Sequence, residues 1–216
     1  GVLRAEEKAL KVLAVGNSFS ANALRCFGDI VRASGSKVIA TNAMIGGCDF
    51  ERHMRHADAF EADPNDPAGR PYPGKRSLKE LLTQERWDFV TIQQASPKSF
   101  RPETFHPHAD RLVAYIKKYA PQAEIVIHET WAYRDDHRWF SDHANNKEQP
   151  LTADAMYSAV RKAYDGLAAE TGFRLIPCGD AMEAARRDPA WGTFVPDAAF
   201  DPQTAAYPAL PKGEKR

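Results

Sequence analysis

Five short apolar runs, each rich in β-forming residues, alternate along the chain with longer segments of helical periodicity. This alternation constrains the fold more than any other feature, because it is typical of a parallel sheet whose crossover connections are helices. The runs predict strands at residues 11–15, 37–41, 88–93, 124–129 and 173–177. The sequence therefore predicts an α/β protein, a three-layer αβα sandwich around a parallel sheet of about five strands.

Helical spacing of apolar residues appears between the predicted strands, at 24–31, 112–119 and 156–167. Gly35 and Gly172 are predicted to end the first and the longest helix, since glycine takes the left-handed position after a helix at little steric cost. Two segments rich in proline, glycine, aromatic or charged residues, 61–76 and 131–150, are predicted to be long surface loops. We expect residues 1–216 to form a single domain.

The net charge indicates no charged partner, because 29 Lys and Arg are offset by 29 Asp and Glu. We therefore expect no nucleic-acid or membrane partner. The three cysteines are too widely spaced for a disulfide framework or a CxxC metal site. The N-terminus lacks the apolar core of a signal peptide, which leaves a cytoplasmic protein or one whose signal has been removed.

Polar or glycine-rich residues follow the first four predicted strands, at the sheet edge where parallel α/β proteins bind ligands. After the first strand, "VGNSFS" places Ser18 in a strand-to-helix turn, where free helix N–H groups favour a developing negative charge. Ser18 is thus a candidate nucleophile. The alternative is that Ser18 or Ser20 only caps the following helix, a role that serine performs well.

The next two strand ends carry groups that could stabilise an oxyanion. Gly46 and Gly47 in "IGGC" allow close approach of the backbone or a positive φ, although a Gly-Gly pair is also common in plain turns. Gln93 and Gln94 in "TIQQAS" end the third strand, where a side-chain amide could donate to the same oxyanion. Either glutamine could instead be an ordinary residue at the sheet rim.

Taken together, "GNSF", "IGG" and "QQAS" at successive strand ends resemble the SGNH or GDSL-type hydrolases, serine esterases built on a flavodoxin-like sheet. This resemblance implies that Ser18 is the nucleophile and that the N–H groups of Ser18 and Gly47 donate to the oxyanion. It implies that Gln94, or less favourably Gln93, provides the amide donor. The order of "GNSFS", "IGGC" and "HETWAY" resembles an uncharacterised bacterial branch of that superfamily.

The sequence departs from the family pattern in three places. Asn17 stands where the family has aspartate, and "QQAS" replaces the usual G-x-N-D. No histidine follows an aspartate by three residues, although the family places its general base in such a D-x-x-H block near the C-terminus. We therefore expect the natural chain to continue into a D-x-x-H loop and a last helix.

His128 at the end of the fourth strand is an alternative base on position alone, or a group that orients substrate. With Trp131 and Tyr133 it is predicted to form a wall for a sugar-like ligand, although both aromatics could simply pack the loop. Arg52 is predicted near the mouth of the pocket, although an arginine at such a position is more often a solvated or ion-paired residue of a helix face. The substrate-binding residues predicted from sequence are Asn17, Arg52, Gln93, His128 and Trp131.

Metal binding is not expected, because the histidines and acidic residues around His53, His56 and in 136–143 match no ligand spacing. No cofactor is expected either. The sequence thus predicts a serine esterase that removes a small acyl group, acetyl above all, from a carbohydrate. The alternatives are a non-catalytic carbohydrate-binding protein on the same fold, and a flavodoxin-like anion or nucleotide binder that uses the "GNSFS" turn.

Overall fold

The fold is a five-stranded parallel sheet in the order β2-β1-β3-β4-β5, with helices on both faces. We describe it from a computed structural model, whose described residues are 9–135, 137–140, 150 and 152–189. The strands are β1 (Leu10–Gly16), β2 (Val38–Met44), β3 (Phe89–Ile92), β4 (Glu124–His128) and β5 (Arg174–Ile176). The predicted three-layer αβα class and flavodoxin-like strand order are confirmed.

Seven α-helices connect or follow the strands in the described part of the chain. They are α1 (Ser18–Ala23), α2 (Phe27–Ala33), α3 (Phe50–Ala62), α4 (Leu78–Thr83), α5 (His108–Tyr119), α6 (Ala153–Thr171) and α7 (Cys178–Arg187). The single helix predicted across residues 24–31 is wrong: the chain forms two short helices, α1 and α2, with a break between them. Gly172 ends α6 with a φ of 70°, as predicted. None of these helices combines the length and apolar character of a membrane span.

The main core lies on one face of the sheet, where α3, α4, α5 and α6 cover side chains such as Leu13, Val90 and Ile127. Neighbouring strand residues point to the opposite face. There, α1 is tied to the sheet by a hydrogen bond from Ser20 Oγ to Asn42 Oδ1 at 3.0 Å. Because the strands are parallel, the turns that follow them lie together at the carboxyl edge of the sheet.

The segment 61–76 is more ordered than the predicted open loop. Helix α3 continues to Ala62, a 3-10 turn spans Pro67–Gly69, and Tyr72 pairs with Arg76. Tyr72 is buried in the core because its hydroxyl finds a partner in His53 Nδ1 at 2.8 Å. In the other predicted loop, 138–140 form a 3-10 turn, whereas 136, 141–149 and 151 lie outside the described residues.

Candidate active site

Asn17 joins the turns that follow the first three strands. Its Nδ2 donates to the carbonyl oxygens of Cys48 at 3.0 Å and Gln94 at 3.2 Å, while its Oδ1 accepts from the N–H of Phe19 at 3.0 Å. The side chain is buried and all its polar groups are used. The predicted substrate-binding role of Asn17 is therefore corrected to a structural one, and the residue places Ser18 beside the "IGGC" turn.

Ser18 is the first residue of α1, and its side chain is exposed at the carboxyl edge of the sheet. The cap of α1 is Asn17, so neither of the serines considered for that role performs it. Ser20 is buried and donates its hydroxyl to the carbonyl of Asn17 at 2.7 Å and to Asn42. Ser18 is thus the serine of this turn that is open to a ligand.

The backbone N–H groups of Ser18 and Gly47 at this edge have no partner among the described residues, and neither has that of Gly46. Gly47 has a φ of 61°, which explains the glycine at this position. Because Asn17 binds the carbonyl of Cys48, the residue before Ser18 contacts the residue after Gly47. The turns that carry the Ser18 and Gly47 N–H groups are therefore adjacent, and Arg52 lies at the second of them, with Nη1 donating to Gly46 O at 3.2 Å.

Gln94 does not fit the amide-donor role that the sequence favoured. Its Oε1 accepts from the N–H groups of Phe50 at 3.2 Å and Ala95 at 2.9 Å. Its Nε2 donates to the carbonyl and the hydroxyl of Thr104 at 3.2 and 3.3 Å. The side chain is fully buried, so its amide serves to anchor the loop after β3, and the prediction for Gln94 is corrected accordingly.

Gln93 is the glutamine whose side chain has an unused end. Its Nε2 lies 3.1 Å from His128 Nδ1, and its Oε1 has no partner among the described residues. The unused end packs against Gly16, where a Cβ atom would stand 2.9 Å from it. Gln93 therefore lies under the turn that carries Ser18, and a side chain at position 16 would displace it.

His128 is buried, and among the described residues it has no carboxylate partner that could orient it as a catalytic base. Burial lowers its pKa to about 4, so the ring is neutral near pH 7. The neighbouring carboxyl of Glu129 turns away and accepts from the N–H groups of Gly179 at 2.9 Å and Asp180 at 3.3 Å. Within the described residues, Ser18 has no hydrogen bond to a histidine. The alternative that His128 is the base thus gains no support.

The aromatic residues after β4 divide into two groups. The ring of Trp131 lies 4.3 Å from that of Phe19, the residue after Ser18, and remains half-buried. Tyr133 instead packs within its own loop, with its hydroxyl 2.7 Å from Ser96 Oγ and its ring stacked on His137. Trp131 therefore contacts the residue that follows Ser18, whereas Tyr133 packs the loop.

The histidines considered as metal ligands have other contacts. His53 binds Tyr72, and burial lowers the pKa of His53 to about 3. His56 Nδ1 lies 2.6 Å from the carbonyl of Ala68. In the part of the chain that the structure describes, no three His, Cys, Asp or Glu side chains converge on one point. The remaining candidates, Asp136, Asp142 and His143, lie outside that part.

The sequence reasoning missed Phe19 and the pairing of Gln93 with His128. The pairing follows from the register of β3 and β4, in which Thr91 and Val126 are partners and Gln93 and His128 stand two positions further along; the sequence alone does not give this register. Side chains two apart on a strand share a face. Phe19 had no signal in the sequence either, since its partner Trp131 is remote along the chain.

Comparisons with known proteins identify the family of the chain and its fold. A family model described as a domain of unknown function, DUF4886, matches residues 11–190. A search of the curated proteins finds no significant match.

Among solved structures, a DUF4886 family protein from Bacteroides uniformis is 29% identical, with a TM-score of 0.70 over 83% of this chain and 71% of that one. The periplasmic domain of a lipopolysaccharide acetyltransferase from Salmonella ser. Paratyphi A is 11% identical, with a TM-score of 0.54 over 82% and 69%. An acetyl xylan esterase, AlAXEase, is 12% identical, with a TM-score of 0.51 over 82% and 81%. At such low identities the last two likenesses show the fold alone, an α/β fold with a parallel sheet. The chain belongs to the DUF4886 family.

Proposed function

We propose that this protein is a serine ester hydrolase with Ser18 as its nucleophile. The observation that carries the proposal is that Asn17 and Ser18, neighbours in the turn after β1, have different roles. Asn17 caps α1 and holds three strand-end turns together, which leaves Ser18 exposed beside the unused N–H groups of Ser18 and Gly47. A hydroxyl next to convergent backbone donors is the arrangement that acyl transfer requires.

In the proposed reaction, Ser18 Oγ attacks the ester carbonyl carbon while a general base takes the hydroxyl proton. The carbonyl oxygen becomes an oxyanion, which accepts hydrogen bonds from the N–H groups of Ser18 and Gly47 and from the carboxamide of Gln93. The alcohol then leaves with a proton, and water hydrolyses the acyl-enzyme. Gln93 replaces Gln94 in this scheme because one end of its carboxamide, Oε1, is unpaired beside Gly16. Donation to the oxyanion requires the carboxamide to be turned so that its NH₂ group occupies this end.

A small acyl group on a carbohydrate is the substrate class we propose. The half-buried ring of Trp131 packs on Phe19, the residue that follows Ser18. An aromatic face of this kind buries the apolar surface of a sugar ring. Arg52 stands at the other side, next to Gly46. The acetyl chemistry in the names of two structural neighbours makes an acetylated sugar the first substrate to test.

The test is hydrolysis of p-nitrophenyl acetate and of an acetylated xylo-oligosaccharide by the full-length protein and by Ser18→Ala. We expect Ser18→Ala to lower kcat at least about a thousandfold, as expected when a nucleophile is removed. Ser20→Ala is the matched control, because Ser20 lies in the same turn but is buried and bonded to Asn17 and Asn42. Equal activities of Ser18→Ala and the wild type would refute the proposal.

A non-catalytic carbohydrate-binding protein is the second candidate, and one observation favours it. Among the described residues no histidine contacts Ser18, and His128 has no carboxylate partner. This alternative predicts binding of the sugar in calorimetry, reduced by Trp131→Ala, with no release of acetate.

A further inference from the structure

Gln93 and His128 form a buried polar pair on the sheet face that carries α1. Ile92 and Ile127 are register partners, so Gln93, directly after β3, and His128, the last residue of β4, stand side by side. They are 1% and 5% exposed. The pair is joined through His128 Nδ1, and each residue keeps one polar atom without a partner among the described residues, Gln93 Oε1 and His128 Nε2.

The contact between the two side chains is compatible with two hydrogen-bond senses. A carboxamide keeps its outline after a half-turn that exchanges its oxygen and its NH₂ group, and a neutral imidazole carries its proton on either nitrogen. If Gln93 donates to a bare Nδ1, the free end beside Gly16 is an oxygen. If His128 donates from Nδ1–H to the glutamine oxygen, the free end is the NH₂ group.

Only the second sense is useful to an oxyanion, because a carboxamide oxygen would repel the developing negative charge whereas an NH₂ group stabilises it. We infer that His128 is a positioning residue that donates from Nδ1–H to Gln93 and thereby turns the carboxamide NH₂ toward the reacting carbonyl oxygen. This inference rests on the proposed function, and it gives the buried histidine a role other than that of a base.

The test compares two variants of nearly equal shape, His128→Asn and His128→Asp. Asparagine has an NH₂ group that can replace the Nδ1–H donor, so His128→Asn retains most of the wild-type kcat. An ionised aspartate only accepts, so it draws the Gln93 NH₂ group to itself and leaves an oxygen at the free end. At pH values above the ionisation of that aspartate, we expect kcat of His128→Asp to fall about a hundredfold or more, with little change in KM, as for loss of one oxyanion donor.

The second arm repeats both substitutions in a Gln93→Leu background. There the carboxamide is absent, and the difference in kcat between His128→Asn and His128→Asp disappears. A difference that persists, or equal kcat values for the two variants when Gln93 is present, overturns the inference. If His128→Asp fails to fold, His128→Leu takes its place, because leucine also lacks the donor; equal kcat for His128→Asn and His128→Leu then overturns it. Failure of the proposed function is distinct, since the wild type itself would show no Ser18-dependent hydrolysis.

Discussion

At the scale of single residues, two neighbours in the turn after β1 have different roles. Asn17 is structural, whereas Ser18 is the proposed nucleophile. Asn17 uses its oxygen to cap α1 and both hydrogens of its NH₂ group to hold the turns after β2 and β3. Aspartate, which the SGNH pattern has at this position, could perform only the first task, because a carboxylate cannot donate. The hydroxyl of Ser18 has no hydrogen-bond partner in the part of the chain that the structure describes.

This division predicts the effect of Asn17→Asp. The carbonyls of Cys48 and Gln94 would face a carboxylate in a buried position, so two donated hydrogen bonds are lost and the charge is unpaired. We expect a loss of about 2–4 kcal/mol in the free energy of unfolding, measured by urea denaturation. Asn22→Asp, on the exposed side of α1, is the control and should change stability by less than about 0.5 kcal/mol. Equal stabilities of the two variants would contradict the clamp role of Asn17.

At the scale of elements, α7 is anchored to the sheet by Glu129. The fully buried carboxyl accepts the first N–H groups of the helix, where a negative charge is favoured, although burial raises the pKa of Glu129. Gly179 permits this contact, because a Cβ there would lie 2.7 Å from Glu129 Cδ and from the carbonyl of Thr130. The position of α7 therefore depends on one glycine and one acid.

Two glycine substitutions distinguish the steric effect at the Glu129 contact from the effect of alanine on helix propensity. Gly179→Ala forces apart the contact with Glu129, so we expect a loss of about 1–3 kcal/mol in unfolding free energy. Gly166→Ala lies within α6, where a Cβ meets nothing within 4 Å, so we expect a gain of about 0.5–1 kcal/mol. Urea denaturation of both variants distinguishes the effects; stabilisation by Gly179→Ala would refute the anchor.

The elements were easier to predict from sequence than the site. The strands follow from alternating apolar runs, which local composition determines, whereas their flavodoxin-like order is implied by the resemblance to the SGNH hydrolases. The choice between Gln93 and Gln94 depends on which face of the sheet each reaches, and a shift of one residue reverses it. The role of Asn17 depends on carbonyls 31 and 77 residues away, which no local pattern reports. The break between α1 and α2 carries no glycine or proline signal of the kind that predicts helix ends.

At the scale of the whole molecule, buried neutral histidines make the fold sensitive to acid. Burial lowers the pKa of His53 from 6.5 to about 3, and that of His128 to about 4. The unfolded chain binds protons on both residues below about pH 6.5, while the folded chain does not until the lower pKa values are reached. Stability therefore falls as the pH falls through this window, and neither histidine affects it above the window.

We expect the unfolding free energy to decrease by up to about 1.4 kcal/mol per pH unit for each of these histidines between about pH 6 and pH 4. His53→Asn can keep a hydrogen bond to Tyr72 without a titrating group. Its stability should therefore fall less steeply with acid than that of the wild type, in urea titrations at a series of pH values. Parallel curves for the two proteins would show that His53 is not the group responsible.

The proposed activity depends on the reactivity of the Ser18 hydroxyl, and covalent labelling measures that reactivity directly. The full-length protein is treated with a p-nitrophenyl alkylphosphonate, which forms a stable serine phosphonate ester as p-nitrophenolate leaves, and the adduct is mapped by peptide mass spectrometry. We expect one adduct, on the peptide containing Ser18, and none in Ser18→Ala, whereas Ser20→Ala labels like the wild type. An adduct on any other residue, or labelling that persists in Ser18→Ala, would contradict the assignment of Ser18 as the nucleophile.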